Sequence, residues 1–127
     1  MTAPRALRAD LIDRAEAAFL PSDQCVPERA SPWWHGSAVA SPGARVLIAV
    51  RGKRGVVWHW ARAVAALGER LCVVIQTAGP ADHEVLPGQS LQINPSLHAH
   101  IVLPTQADVR ALEAWRREQV REEARAC

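Results

Sequence analysis

His98 and His100 stand two residues apart in the run Leu97-His98-Ala99-His100-Ile101-Val102. On a β-strand, positions i and i+2 face one side. Two imidazoles so placed would converge on one divalent metal ion, with His83, Glu84 or His59 as a third ligand. The alternative is a pair of half-buried histidines on a sheet face. A second group of residues invites an anion. Arg51-Gly52-Lys53-Arg54-Gly55 puts three cations and two glycines on five residues, between an apolar run and a segment with helical periodicity. Free N–H groups at a helix start would add to the attraction for phosphate. Trp58, just beyond, would offer a ring on which a base stacks. The spacing is not that of a P-loop, since Gly52 and Gly55 are three apart and no hydroxyl follows. The alternative here is a solvated turn.

Other catalytic sets are incomplete. Cys25 and His35 lack the helix start or cationic neighbour that activates a thiol. No G-x-S-x-G elbow is present, and Asp82-His83-Glu84 has no visible partner. The His98-Ala99-His100 run followed by apolar residues resembles the metal-binding motif of the HUH single-strand nucleases. That resemblance would imply a ferredoxin-like core and a divalent metal. Those enzymes also use a tyrosine nucleophile, and this chain has no Tyr, so nicking by that route is excluded.

The elements that must position these residues follow from periodicity. Leu7, Leu11, Ala15 and Phe19 recur every four residues, predicting an amphipathic helix over 5–19. Residues 20–44 carry prolines and polar residues and read as an irregular connection. Val46–Val50 and Leu71–Ile75 are continuous apolar runs, as in strands buried on both faces. Val57, Trp60, Ala61, Val64 and Leu67 fit helical spacing between them. Together they predict a parallel, right-handed βαβ unit; the competing reading is a hairpin with Val56–Trp60 as the return strand. Leu97–Leu103 is expected as a further strand. Thr105-Gln106-Ala107-Asp108 has capping-box spacing and opens a long helix over 105–125. Cys72, inside an apolar run, is expected to be buried and unbridged.

The expected fold is α/β, with α+β as a variant: a two-layer ferredoxin-like or small three-layer sandwich in one domain over 1–127. It would have a sheet core over 45–104, an N-terminal helix and a long C-terminal helix. The 127 residues are 49% hydrophobic and 22% charged, with a net charge of only +2. That composition suits a globular chain and is too mild to require nucleic acid. Three widely spaced cysteines argue against a disulfide framework. No apolar run suits a membrane helix or a signal core, so a cytoplasmic location is expected. Three functions remain. The favoured one is a non-catalytic accessory protein that engages nucleic acid or another polyanion through Arg51, Lys53, Arg54 and Trp58. The others are a protein-interaction module (inhibitor, immunity or assembly factor) and a small metal-dependent nuclease or hydrolase using His98 and His100.

Overall fold

A computed structural model describes residues 6–7, 10–17, 42–53, 55–81 and 83–126. The elements run β1 (Ala6–Leu7), β2 (Asp10–Leu11), α1 (Arg14–Ala17), β3 (Arg45–Gly52), β4 (Gly55–Leu67), β5 (Arg70–Ile75), β6 (Ser90–Ile93), α2 (Pro95–His98), β7 (Ile101–Leu103) and α3 (Gln106–Ala126). The fold is mixed α and β, dominated by one curled, mostly antiparallel sheet.

Strands β3 to β6 form an antiparallel meander. The parallel βαβ unit is therefore corrected: Val46–Val50 pairs with Val57–Ala61 as a hairpin, from Arg45↔Arg62 to Gly52↔Gly55. With it goes the basis for a ferredoxin-like or three-layer arrangement. Valines and tryptophans make 56–60 a good strand former. The helical spacing of Val57, Trp60, Ala61 and Val64 has another origin. Both faces of β4 carry apolar residues, and a β-bulge interrupts its alternation. Ala63 pairs with Val73 and Ala65 with Cys72, leaving Val64 as the extra residue. Val64 is 41% exposed, and Leu67, the expected end of the buried helix face, is exposed too.

The sheet curls because its two flanks are tied together. Leu7 pairs with β6 and Asp10 with β3, on opposite sides of the meander. Three residues of chain reach at most about 11 Å, so the flanks must approach each other. The enclosed inner face holds Val46, Ile48, Val50, Ala61, Val73, Ile75, Leu91 and Ile93. The outer face of β3 and β4 carries a second core, in which Leu47, Ala49 and Trp58 meet Ile101, Leu103 and Leu112. The Val46–Val50 run of β3 is thus apolar because water reaches neither of its faces.

Three further expectations are revised. Within the predicted 5–19 helix, residues 6–7 and 10–11 form short strands, and among its described residues only Arg14–Ala17 is helical. Residues 97–103 are not one strand: Asn94 caps the single turn Pro95–His98, its Oδ1 accepting from Ser96 N at 3.1 Å, and β7 begins at Ile101. Cys72 has a free thiol but is only partly buried. At the C-terminal helix, Thr105 N and Oγ1 donate to Asp108 Oδ2 at 3.0 and 2.7 Å, and Asp108 N donates back to Thr105 Oγ1 at 3.3 Å. Trp33, Trp34, Cys25, His35 and Cys127 lie outside the described residues, as does most of the 20–44 connection. Among the described residues, no helix is long and apolar enough to cross a membrane.

Two substitutions test the sheet, the first its inner core and the second the hairpin against the crossover reading. Ile48→Asp places an unpaired carboxylate in the inner core, a cost of several kcal/mol against a total stability of about 5–15 kcal/mol. Circular dichroism should show no cooperative melt. Val64→Thr, which would damage a buried helix face, should shift stability by less than about 0.5 kcal/mol in urea unfolding.

Candidate functional site

One end of the inner core is polar. The inner face of β4 runs Val57, His59, Ala61, Ala63, so the strand alternation itself drives an imidazole into the core. His59 is fully buried and His83, from the segment after β5, is nearly so. Their Nε2 atoms are 2.9 Å apart. The ring centroids stand 5.0 Å apart with the planes 13° from parallel. Nitrogens that close between centroids that distant mean the rings meet end to end rather than face to face.

The protonation pattern follows from the partners. His59 Nδ1 lies 3.0 Å from the carbonyl oxygen of Thr77. A carbonyl only accepts, so Nδ1 carries the proton and donates. Neutral His59 must then accept at Nε2, and His83 Nε2–H is the donor. Thr77 Oγ1, 3.3 Å from the same Nδ1, also accepts from Trp60 N at 3.0 Å, which fixes the Thr77 turn against β4. Burial pushes the His59 pKa below its ordinary value. The Thr77 backbone hydrogen bond offsets part of that shift, and charge on His83 would add to it. Burial therefore favours the neutral form of His59.

Glycine makes room for His83. A Cβ on Gly52 would come within 2.7 Å of His83 Nδ1, and one on Gly79 within 2.7 Å of His83 Cδ2. The imidazole is therefore held between two backbone segments, the end of β3 and the loop after β5. Two aligned lone pairs or N–H groups pointing along one line suit a shared proton. They leave no position between them for a metal ion bound to both.

The residues singled out from the sequence fall elsewhere. Arg51 and Lys53 do not precede a helix; they sit at the β3–β4 hairpin, and Arg54 lies outside the described residues. Arg51 Nε lies 3.5 Å from Asp10 Oδ2 and its Nη2 3.2 Å from Glu16 Oε1, so its charge is met by two carboxylates. Lys53 is exposed on the turn. Trp58 is buried in the outer core, edge-on to His100 at 4.7 Å, and offers no free ring for stacking. His98 and His100 do not share a strand face. His98 Nδ1 accepts from Asn94 N at 3.1 Å, leaving Nε2–H toward Asp13 Oδ1 at 3.4 Å. His100 is buried against Trp58, its N–H donating to Leu47 O at 2.8 Å. Among the described residues, no group of three or more His, Cys, Asp or Glu side chains is placed to hold a metal ion. The pairing of His59 with His83 was not read from the sequence, because a helical 57–67 turns His59 away from the sheet. Its signal was a lone polar residue on the strand alternation Val57, His59, Ala61, Ala63.

Comparison with known proteins finds no relative: no family model matches the chain, and no curated protein or solved structure is significantly similar to it.

The glycine cradle yields a coupled prediction. Gly52→Ala should cost about 1–3 kcal/mol by overpacking against His83. In a His83→Ala background the same change should cost almost nothing. Urea unfolding of the four proteins in this cycle measures the coupling.

Proposed function

We propose that this chain is a non-catalytic protein-interaction module that assembles with a second copy of itself through the distal half of α3. The observation that carries this reading is the incomplete burial of that helix. Its first half is seated: Leu112 is buried, Val109 and Trp115 pack on the outer core, and the Arg116 guanidinium lies 5.7 Å from the centre of the Trp60 ring. Beyond this point Arg117, Glu118, Val120, Arg121, Glu122 and Ala124 are all exposed, with Val120 at 60%. A helical extension without tertiary contacts is marginal in water.

The charge order of this segment supports self-pairing. Arg116-Arg117-Glu118-Gln119-Val120-Arg121-Glu122-Glu123 is the sign-inverted reverse of itself. An antiparallel copy centred between Gln119 and Val120 sets Arg117 level with Glu122 and Glu118 with Arg121, a pair that within one copy lies 3.8 Å apart. A two-fold interface requires this kind of self-complementarity. The polyanion reading is left with fewer resources, since Arg51 is paired with carboxylates, Trp58 is buried and no helix starts at the hairpin. The metal-dependent hydrolase reading has lost the shared strand face of His98 and His100.

Sedimentation velocity over a concentration series tests the assembly. The wild type should pass from monomer to dimer, more weakly as salt rises. Arg117→Glu should hold it monomeric by setting like charges level, and Arg117→Glu with Glu122→Arg should restore the dimer. A wild type that stays monomeric at its highest soluble concentration overturns the reading. Salt-sensitive binding of single-stranded DNA, lost in Lys53→Glu, would put the polyanion function in its place.

A further inference from the structure

The outer face of the sheet gathers three cations around one indole. Strand alternation puts two of them there. Ala44 and Val46 enter the inner core, so Arg45 between them faces outward, and Ala61 and Ala63 do the same for Arg62. The two arginines are register partners on β3 and β4. Side chains directly opposite on one face of an antiparallel pair stand about 4.5–5.5 Å apart at Cβ, and like charges there destabilise the sheet. Trp60 precedes Arg62 by two residues on the same face, and the Arg116 guanidinium of α3 lies 5.7 Å from the centre of its ring. Among the described residues, Arg116 Nε is buried without a hydrogen-bond partner. That N–H has given up water and gained no acceptor.

Other arginines of the chain are neutralised within it. Arg51 is met by Asp10 and Glu16, and Arg121 by Glu118. Among the described residues, no carboxylate is ion-paired with Arg45, Arg62 or Arg116. Asp108, at the start of α3, turns its carboxylate back to Thr105 N and Oγ1. The neighbours in the strand row carry no charge: Leu103 of β7 lies beside Arg45 and Val74 of β5 beside Arg62. Two guanidinium groups set opposite each other, close to a third with an idle donor, make a place for an anion.

We propose that Arg45, Arg62 and Arg116 bind a terminal phosphate group, carried by a phosphomonoester or present as the free ion. The number of oxygens selects this class. Each guanidinium offers a planar fork of N–H donors. A terminal phosphate has three acceptor oxygens and a charge of about −1.5 to −2 at neutral pH, so each arginine can take one oxygen. A carboxylate or a phosphodiester presents two oxygens and a single charge. The Trp60 ring is committed to the outer core and to Arg116, so a base or sugar attached to the phosphate has no aromatic face to stack on. Arg45 and Arg116 are half-buried and Arg62 is exposed, which leaves the site open to a ligand from solvent. It ends at Arg116, before the exposed half of α3 begins, and stands apart from assembly through that helix.

Nitrogen-15 spectra of the full chain, titrated with methyl phosphate and with inorganic phosphate against chloride at equal ionic strength, test the site. The Nε–H signals of Arg45, Arg62 and Arg116 and the indole N–H of Trp60 should shift together and saturate. Saturation by methyl phosphate assigns the site to phosphomonoesters, and saturation by inorganic phosphate alone assigns it to the free ion. Saturation by neither overturns the proposal. Dimethyl phosphate, with one oxygen and one charge fewer, should bind at least about tenfold more weakly; equal binding overturns the three-oxygen site. Arg62→Gln changes an exposed residue. It should weaken phosphate binding at least about tenfold, and without phosphate it should melt above the wild type, because the opposed charges are gone. A phosphate-free variant that melts below the wild type would give Arg62 a structural role and overturn the reading. Lys53→Gln, at the other end of β3, should bind as the wild type does. Loss of binding there, with binding kept in Arg62→Gln, would move the anion to the β3–β4 turn and overturn it equally.

Discussion

The Val46–Val50 run of β3 is enclosed on every side. β4 lies along one edge, and β7 and β2 lie end to end along the other, β7 against Arg45–Leu47 and β2 against Val50–Arg51. The gap between them is bridged by His100 N donating to Leu47 O and Ile12 N to Ala49 O, at 2.8 and 3.0 Å. One face looks into the curl and the other toward α3. Such a strand satisfies its backbone only through neighbours, because water is not there to do it. The positions of the short N-terminal strands, the last strand and the docked half of α3 all answer that requirement.

The same enclosure explains why a polar pair is tolerated at the end of the inner core. A buried imidazole without partners would lose its hydration for nothing in return. His59 instead has the Thr77 carbonyl on one nitrogen and His83 on the other. The two glycines let the second ring come in edge-on between backbones. The curl, the β3–β4 turn and the loop after β5 therefore meet at one place, and the proton count there is a property of all three.

Much of the sheet was legible in the sequence as composition but not as topology. Val46–Val50 and Leu71–Ile75 are strands, as their apolar runs indicate. An apolar run nevertheless looks the same whether helices flank a parallel sheet or the sheet wraps on itself. Val64 and Leu67 drew the intervening segment toward a helix, whereas a single bulged residue accounts for the broken alternation. Leu7, Leu11 and Ala15 keep a helical period that pairing with β6 and β3 overrides. Thr105 and Asp108 form the reciprocal cap that their spacing suggests, since capping is local and needs no tertiary knowledge. The imidazole pair joins residues 24 apart in sequence, and only the strand reading of 55–67 turns His59 inward. The basic residues are visible in the sequence, but the counter-charges of Arg51 come from Asp10 and Glu16, in a stretch whose helical period is overridden by strand pairing.

The end-to-end cover on the outer edge of β3 has a kinetic consequence. The hairpin β3–β4 is local and can close within about 1–10 μs. Half of its free edge, however, waits for β7, more than fifty residues further along the chain. On a ribosome adding roughly 5–20 residues per second, that interval lasts seconds. Throughout it Arg45–Leu47 presents unpaired N–H and C=O groups on a strongly apolar strand, the kind of edge on which another nascent chain can add itself. The late arrival of three residues, Ile101–Leu103, therefore sets how long this protein stays vulnerable to aggregation during synthesis.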